Sequence, residues 1–222
     1  HIIAILLFLC VVKSALNFKD IEDALSFYAV YHSNPWNQLI HFFGVPCITW
    51  STLVMLSHLK ISIPFLPKQI YFSHATVWMI FYTILYVKID PLGGLLYFPF
   101  SYMMYRSAVK ITINSNIEVT RKKNDDVTVE KGMGRALKIA CIVNFIGWYL
   151  QIHPGHIIFE GNSPALVDSL GGALSTAPLF AFYEGIWVIG INTQLKESVM
   201  KASLDHARDL CETKNVYLCK FL

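Results

Sequence analysis

Gln151, His153, His156 and Glu160 fall within ten residues of one another, between two long apolar segments. Two imidazoles and a carboxylate in so short a stretch could bind a metal or move a proton, above all at a membrane boundary. Pro154 and Gly155 predict a helix break between the two histidines. Past the break, His156 and Glu160 stand four apart, so a resumed helix puts them on one face. Pro154, Gly155, Asn162 and Ser163 would also suit an ordinary loop with solvated histidines, and composition does not separate the two readings.

Two more histidines lie near the start of the chain. Residues 17–32 read as an amphipathic helix, with Asn17 as its cap and Phe18, Ile21, Leu25, Tyr28 and His32 as its apolar stripe. His32 ends that stripe; a lone histidine there is also an ordinary core residue. Asn34 and Pro35 then suit the cap and first position of a new helix. On it, Asn37 and His41 stand four apart and face the same way. His74 reads as interfacial and His206 as part of a solvated face.

These side chains must be positioned by a strongly apolar chain. The 222 residues are 55% hydrophobic and 15% charged, against roughly a quarter charged in a soluble domain. The apolar residues fall in long runs, which predicts an all-α, multi-span membrane protein with four to five transmembrane helices and an N-terminal amphipathic helix. The spans are expected at 39–57, 70–87, 92–105 (a tilted span or a re-entrant hairpin), 136–152 and 170–191. Residues 1–15 are an apolar remnant, too short to cross alone, and 16–191 are one membrane-embedded domain. Residues 106–135 read as a solvated, partly disordered loop whose basic excess leans cytoplasmic. Residues 192–222 form a polar tail with a surface helix.

Parity brings the histidines together. Four crossings separate the start of the first span from the end of the fourth. His32, His41, His153 and His156 therefore share one membrane face, provided 92–105 crosses. Four imidazoles with Glu160 near could hold one redox-active ion with open positions for oxygen or substrate. Asn37, Gln38 and Gln151 are candidate partners for the far ring nitrogens. Glu184 is costly inside a span, so it is expected to face the bundle interior and meet a polar group; a shallow position near the interface is the alternative. Spacing leaves the metal open among Fe, Zn, Cu and Ni.

Other chemistries find no support. The chain has no nucleophile elbow, P-loop or dinucleotide fingerprint. A net charge of +3, spread along the chain, does not suggest nucleic-acid binding. Five cysteines without a paired spacing indicate neither a disulfide framework nor a cysteine-based zinc site.

Tyr31-His32, Asn37, His41, Gly44 and Pro46 form one motif. Gln151, Gly155-His156, Phe159-Glu160-Gly161 and Pro164-Ala165-Leu166 form a second. In order, and separated by spans, they resemble the 2-hydroxy-palmitic acid dioxygenase family of small membrane proteins over about residues 16–191. His153-Pro154-Gly155-His156 looks like a variant of a form carrying only the second histidine. The resemblance implies an Fe2+-dependent enzyme of the endoplasmic reticulum membrane that acts during phytosphingosine breakdown. Its substrates would be a 2-hydroxy fatty acid and dioxygen, and its product a fatty acid one carbon shorter. It implies His32, His41, His153 and His156 as iron ligands and Glu160 as acid/base or supporting group. Two rivals stand beside it: a zinc hydrolase-like membrane enzyme, and a non-catalytic lipid-binding or scaffold protein.

Overall fold

The computed structural model of the chain describes residues 1–65, 67, 70–124, 134–161 and 163–214. The helices are α1 Ile2–Ala15, α2 Ile21–Ala29, α3 Pro35–Ser57, α4 His74–Ile89, α5 Pro91–Asn124, α6 Arg135–Leu150, α7 Ala165–Asp168, α8 Leu170–Val188 and α9 Thr193–Lys214. A π-helix, Gln151–Glu160, continues α6 directly. Extended pairing among the described residues is limited to one isolated bridge between Lys60 and Ser73.

The two helices that frame the site start where their caps dictate. Asp20, not Asn17, caps α2: its side chain accepts the Asp23 N–H at 2.9 Å. Glu22 and Asp23 follow in the first turn, where negative charge suits the helix dipole. At α3, Asn34 accepts the Trp36 N–H at 2.9 Å and Pro35 takes the first position, as the sequence suggests.

Helix α3 is the hub, touching α4, α5, α6, the π-helix and α8. Its register against α6 is antiparallel and tightly set. Asn144 donates to the Ser51 and Thr52 hydroxyls at 3.0 and 3.2 Å. At Gly147 the helices come so close that a Cβ would sit 2.7 Å from Ile48 Cγ1. Small residues at such contacts are what let two apolar helices approach. Each step forward on α6 then meets a step back on α3, so Gln151 lies over Gly44. The following π-helix arrives at the start of α3, where His41 waits.

Pro35–Ser57 and the continuous Arg135–Glu160 are long and apolar enough to cross a membrane; α1 and α4 are apolar but shorter. The chain is thus all-helical among its described residues, with two helices of full spanning length where the sequence suggested four to five.

Two expectations change. The polar stretch 106–135 is not a loop throughout, because α5 continues to Asn124. Ala108, Val109, Thr112 and Ser115 recur at helical spacing and are buried, so the polar side chains between them are the exposed side of a helix. Residues 125–133, with Asp125 and Asp126, lie outside the described residues. The tail helix α9 is docked rather than free. Val199, Ser203 and Ala207 are buried at four-residue spacing, α9 packs on α2, and His206 lies 3.5 Å from Asp23. Cys10, Cys47 and Cys141 are free, whereas Cys211 is disulfide-bonded.

Candidate metal centre

His32, His41 and His156 meet in the interior. All three are buried, and one ligand atom from each lies within 4.8 Å of the others. Ring centroids are 4.3 Å apart for His32–His41, 5.0 Å for His32–His156 and 4.9 Å for His41–His156. Nitrogens about 2.1 Å from one ion are at most about 4.2 Å apart. For three nitrogens spread evenly around the ion the limit is about 3.6 Å, so each has to move inward by under about 1 Å to share a common ion.

The tautomers of two rings follow from their partners. His32 Nδ1 lies 2.8 Å from the Tyr28 carbonyl and His41 Nδ1 lies 3.0 Å from the Asn37 carbonyl. A carbonyl only accepts, so each Nδ1 carries the proton and each Nε2 keeps its lone pair. This is the usual outer support of a metal-binding histidine. His32 Nε2 and His156 Nδ1 are buried without a hydrogen-bond partner. Orphaned acceptors of this kind are rare in protein interiors, and an ion would satisfy His32 Nε2 directly. Burial, then the neighbouring His41 and His156, hold the His32 imidazole well below its ordinary range. It is therefore neutral at pH 7, the form that ligates metal. Tyr28 stacks on its outer face, with centroids 4.1 Å apart and ring planes 13° from parallel.

Glu160 has another task. Its Oε1 accepts from the Ser33 N–H at 2.8 Å and the Ser33 hydroxyl at 2.5 Å. Its Oε2 accepts from the Asn34 N–H at 3.1 Å and Asn37 Nδ2 at 2.9 Å. Four donors saturate the carboxylate, and two are backbone groups at the N-terminal end of α3, where helix donors lack internal partners. Glu160 thus ties the end of the π-helix to the start of α3. Of the two expected roles, acid/base or supporting group, these bonds are those of a supporting group.

His153 is not with the other three. Its side chain is exposed and stacks on Tyr149, 5.4 Å away and 6° from parallel. The expected helix break is also missing, because the backbone widens into a π-helix instead. His153 faces outward while Gln151, Gly155, His156 and Glu160 face inward.

The expected outer partners are placed differently too. Asn37 serves His41 through its backbone carbonyl, while its Nδ2 donates to Glu160 and, at 3.3 Å, to the Tyr31 carbonyl. Gln38 donates to the His32 carbonyl at 2.8 Å, not to the ring. Gln151 is buried and its Nε2 has no partner. Glu184 is buried among the helices as expected, but both its oxygens lack a hydrogen-bond partner. The expected polar contact is absent. Ser33 and Tyr28 were missed as site residues. The Ser33-Asn34-Pro35 cap was a visible signal of unpaired N–H groups awaiting an acceptor; nothing local marked Tyr28 beyond its place on the α2 stripe.

The three rings lie at one end of a cavity of about 120 Å³. On α3 its wall runs from His41 through Val45, Thr49 and Leu53 to Leu56. At 1.5 Å of rise per residue, that is about 22 Å. Beyond the histidines the wall is chiefly apolar, and Trp78 and Met104 line it from α4 and α5. A polar ligating end joined to a long apolar channel fits an amphiphile with one polar head.

A family model described as "2-hydroxy-palmitic acid dioxygenase Mpo1-like" matches residues 18–186. The chain belongs to this family. It is 31% identical to the 2-hydroxy-palmitic acid dioxygenase MPO1 of Saccharomyces cerevisiae over 187 residues, covering 84% of this chain and 88% of that protein. No solved structure matches the chain. The Mpo1-like region spans both motifs and all three clustered histidines, and the named relative supports a dioxygenase-like role by resemblance.

Proposed function

We propose that the chain is an Fe2+-dependent dioxygenase that shortens 2-hydroxy fatty acids by one carbon. It acts as a multi-pass protein of the endoplasmic reticulum membrane, in the breakdown of phytosphingosine. The observation that carries this reading is the cluster of His32, His41 and His156 at the polar end of an apolar channel.

His32, His41 and His156 would hold the ion, which when bound supplies the activation of dioxygen and the Lewis acidity for the acid's oxygens. Three neutral imidazoles leave open positions, and a 2-hydroxy acid can offer two oxygens through its carboxylate and hydroxyl. The Tyr28 and Asn37 carbonyls fix the ring orientations. Tyr28 stacks over His32 and Phe180 lies 5.6 Å from it, so that side of the cluster is screened from water. The channel takes the acyl chain and aligns the head with the histidines, which supplies positioning rather than chemistry.

The deciding experiment is anaerobic loading of purified protein with Fe2+, then addition of oxygen and 2-hydroxypalmitate. Oxygen uptake with formation of pentadecanoic acid is the expected result. Zinc retention with hydrolysis and no oxygen uptake would favour a hydrolase, and lipid binding without turnover would favour a carrier.

A further inference from the structure

Gln151 is the one side-chain amide on the cavity wall. It is 4% exposed, and its Nε2 is a buried donor without a partner. A native interior rarely leaves a donor unpaired unless a ligand or water completes it. Its placement is specific. The amide lies over Gly44, where an added Cβ would come within 2.7 Å of Nε2 and 3.2 Å of Cγ. Gly44 stands one α-helical turn beyond His41 and beside Val45, which opens the apolar channel. Gln151 therefore sits at the junction of the ligating end and the channel, where the head of an amphiphile passes.

The cavity also lacks a cation. Among the described residues no lysine or arginine lines it; the Tyr82 hydroxyl already donates to the Leu174 carbonyl, and Thr52 Oγ1 accepts from Asn144. An acid entering this channel must give its negative charge to an ion at the histidines and to whatever neutral donors remain. We propose that Gln151 Nε2 donates a hydrogen bond to the carboxylate of the bound fatty acid, fixing the head against the three histidines. Gln151 is then a substrate-binding residue, not a support for an imidazole. This inference rests on the proposed acid substrate and adds the group that recognises it.

The test is binding without turnover. Protein loaded with redox-inert Zn2+ under anaerobic conditions is titrated with 2-hydroxypalmitate and, separately, palmitate. Gln151→Met keeps shape and removes the donor; Gln151→Glu replaces it with a repelling charge. The expected result is a loss of about tenfold or more in affinity for both acids in Gln151→Met, since a bond to a charged group is lost. A larger loss is expected in Gln151→Glu, with zinc content unchanged in both. Gly44→Ala, which displaces the amide without altering it, should weaken both acids in the same direction and keeps the test open if a Gln151 variant misfolds. Unchanged affinity in Gln151→Met, a loss confined to 2-hydroxypalmitate, or a loss of zinc would each overturn the proposal. If the unsubstituted protein binds neither acid, the proposed substrate class itself falls.

Discussion

The two segments that supply the histidines use the backbone in opposite ways. His32, just past the end of α2, and His41, in α3, each give a ring proton to the carbonyl four residues earlier, so each ring is oriented by the helix beside it in the chain. The π-helix offers no such local support: His156 Nδ1 is unpartnered, and the segment is fixed from outside, through Glu160 to Ser33, Asn34 and Asn37. Winding explains the difference. Over the nine steps from Gln151 to Glu160, an α-helix turns two and a half times and sets the two on opposite faces. With hydrogen bonds reaching five residues back, a turn takes more residues, and nine come close to two whole turns. One edge then carries a head-group donor, a ligand and a tether. Local pairs make a ligand that stands alone, whereas wide winding gathers several functions and relies on a neighbour to hold them.

Removing a ligand from either segment tests whether both serve one ion. His41→Ala and His156→Ala are each expected to abolish metal retention while the protein stays folded. His74→Ala should cost little, because His74 pairs with His1 far from the cluster and such substitutions usually shift stability by under about 0.5 kcal/mol. The check is metal content per protein across the three variants. If His74→Ala loses metal and His41→Ala keeps it, the site is misplaced.

The tether comes next in size. Glu160→Ala would take the acceptor from the part-buried Ser33 and Asn34 N–H groups and leave the buried Asn37 Nδ2 with the Tyr31 carbonyl alone. Each unsatisfied buried group costs about 1–3 kcal/mol. The expected outcome is a destabilisation of about 1–3 kcal/mol together with weakened metal binding. Glu160→Gln keeps an acceptor for part of the set and should lose less. A Glu160→Ala protein with ordinary stability but no turnover would return the carboxylate to a catalytic role.

Gly155→Ala probes the contact between the segments. Its Cβ would sit 2.6 Å from Asn37 Oδ1 and 3.3 Å from the Leu150 carbonyl. Overpacking of this kind costs about 1–3 kcal/mol. Because Asn37 also bonds Glu160 and, through its backbone, His41, the strain should reach the metal affinity as well as the melting temperature. A melting shift with unchanged metal affinity would separate the fold contact from the cluster.

The same contrast decides what could be read from the sequence. The α3 cap at Asn34-Pro35 and the His41 face follow from α-helical spacing, because that region keeps it. The antiparallel pairing of α3 with α6 and the π-helix brings both motifs to one end, and His32, His41 and His156 together. The roles of Glu160 and His153 were not legible. Pro154-Gly155 reads as a break under α-helical rules, and nothing local reveals that the chain will widen its winding instead. Glu160 looked like an acid beside a ligand, since its four donors lie 123 to 127 residues away. Residues 106–124 were misread because their polar majority hides the Ala108, Thr112 and Ser115 stripe. Composition averages over a helix, whereas burial selects one side of it.

The smallest expected effect is at His153, and it sharpens the comparison most. Under α-helical winding with a break, His153 and His156 would both point to the ion. Under π-winding they part: His156 is 2% exposed in the cluster, and His153 is on the outer surface against Tyr149. His153→Ala removes only that exposed stack, and ring pairs contribute about 0.5–1.5 kcal/mol beyond their buried area. The exposed setting puts this pair at the low end. Metal stoichiometry and affinity are therefore expected to match the unsubstituted protein, with a melting shift of a few degrees at most. The measurement is a metal titration of His153→Ala beside His156→Ala. Equal losses in the two would mean that both imidazoles reach the ion, and the placement of His153 on the outer surface would fall.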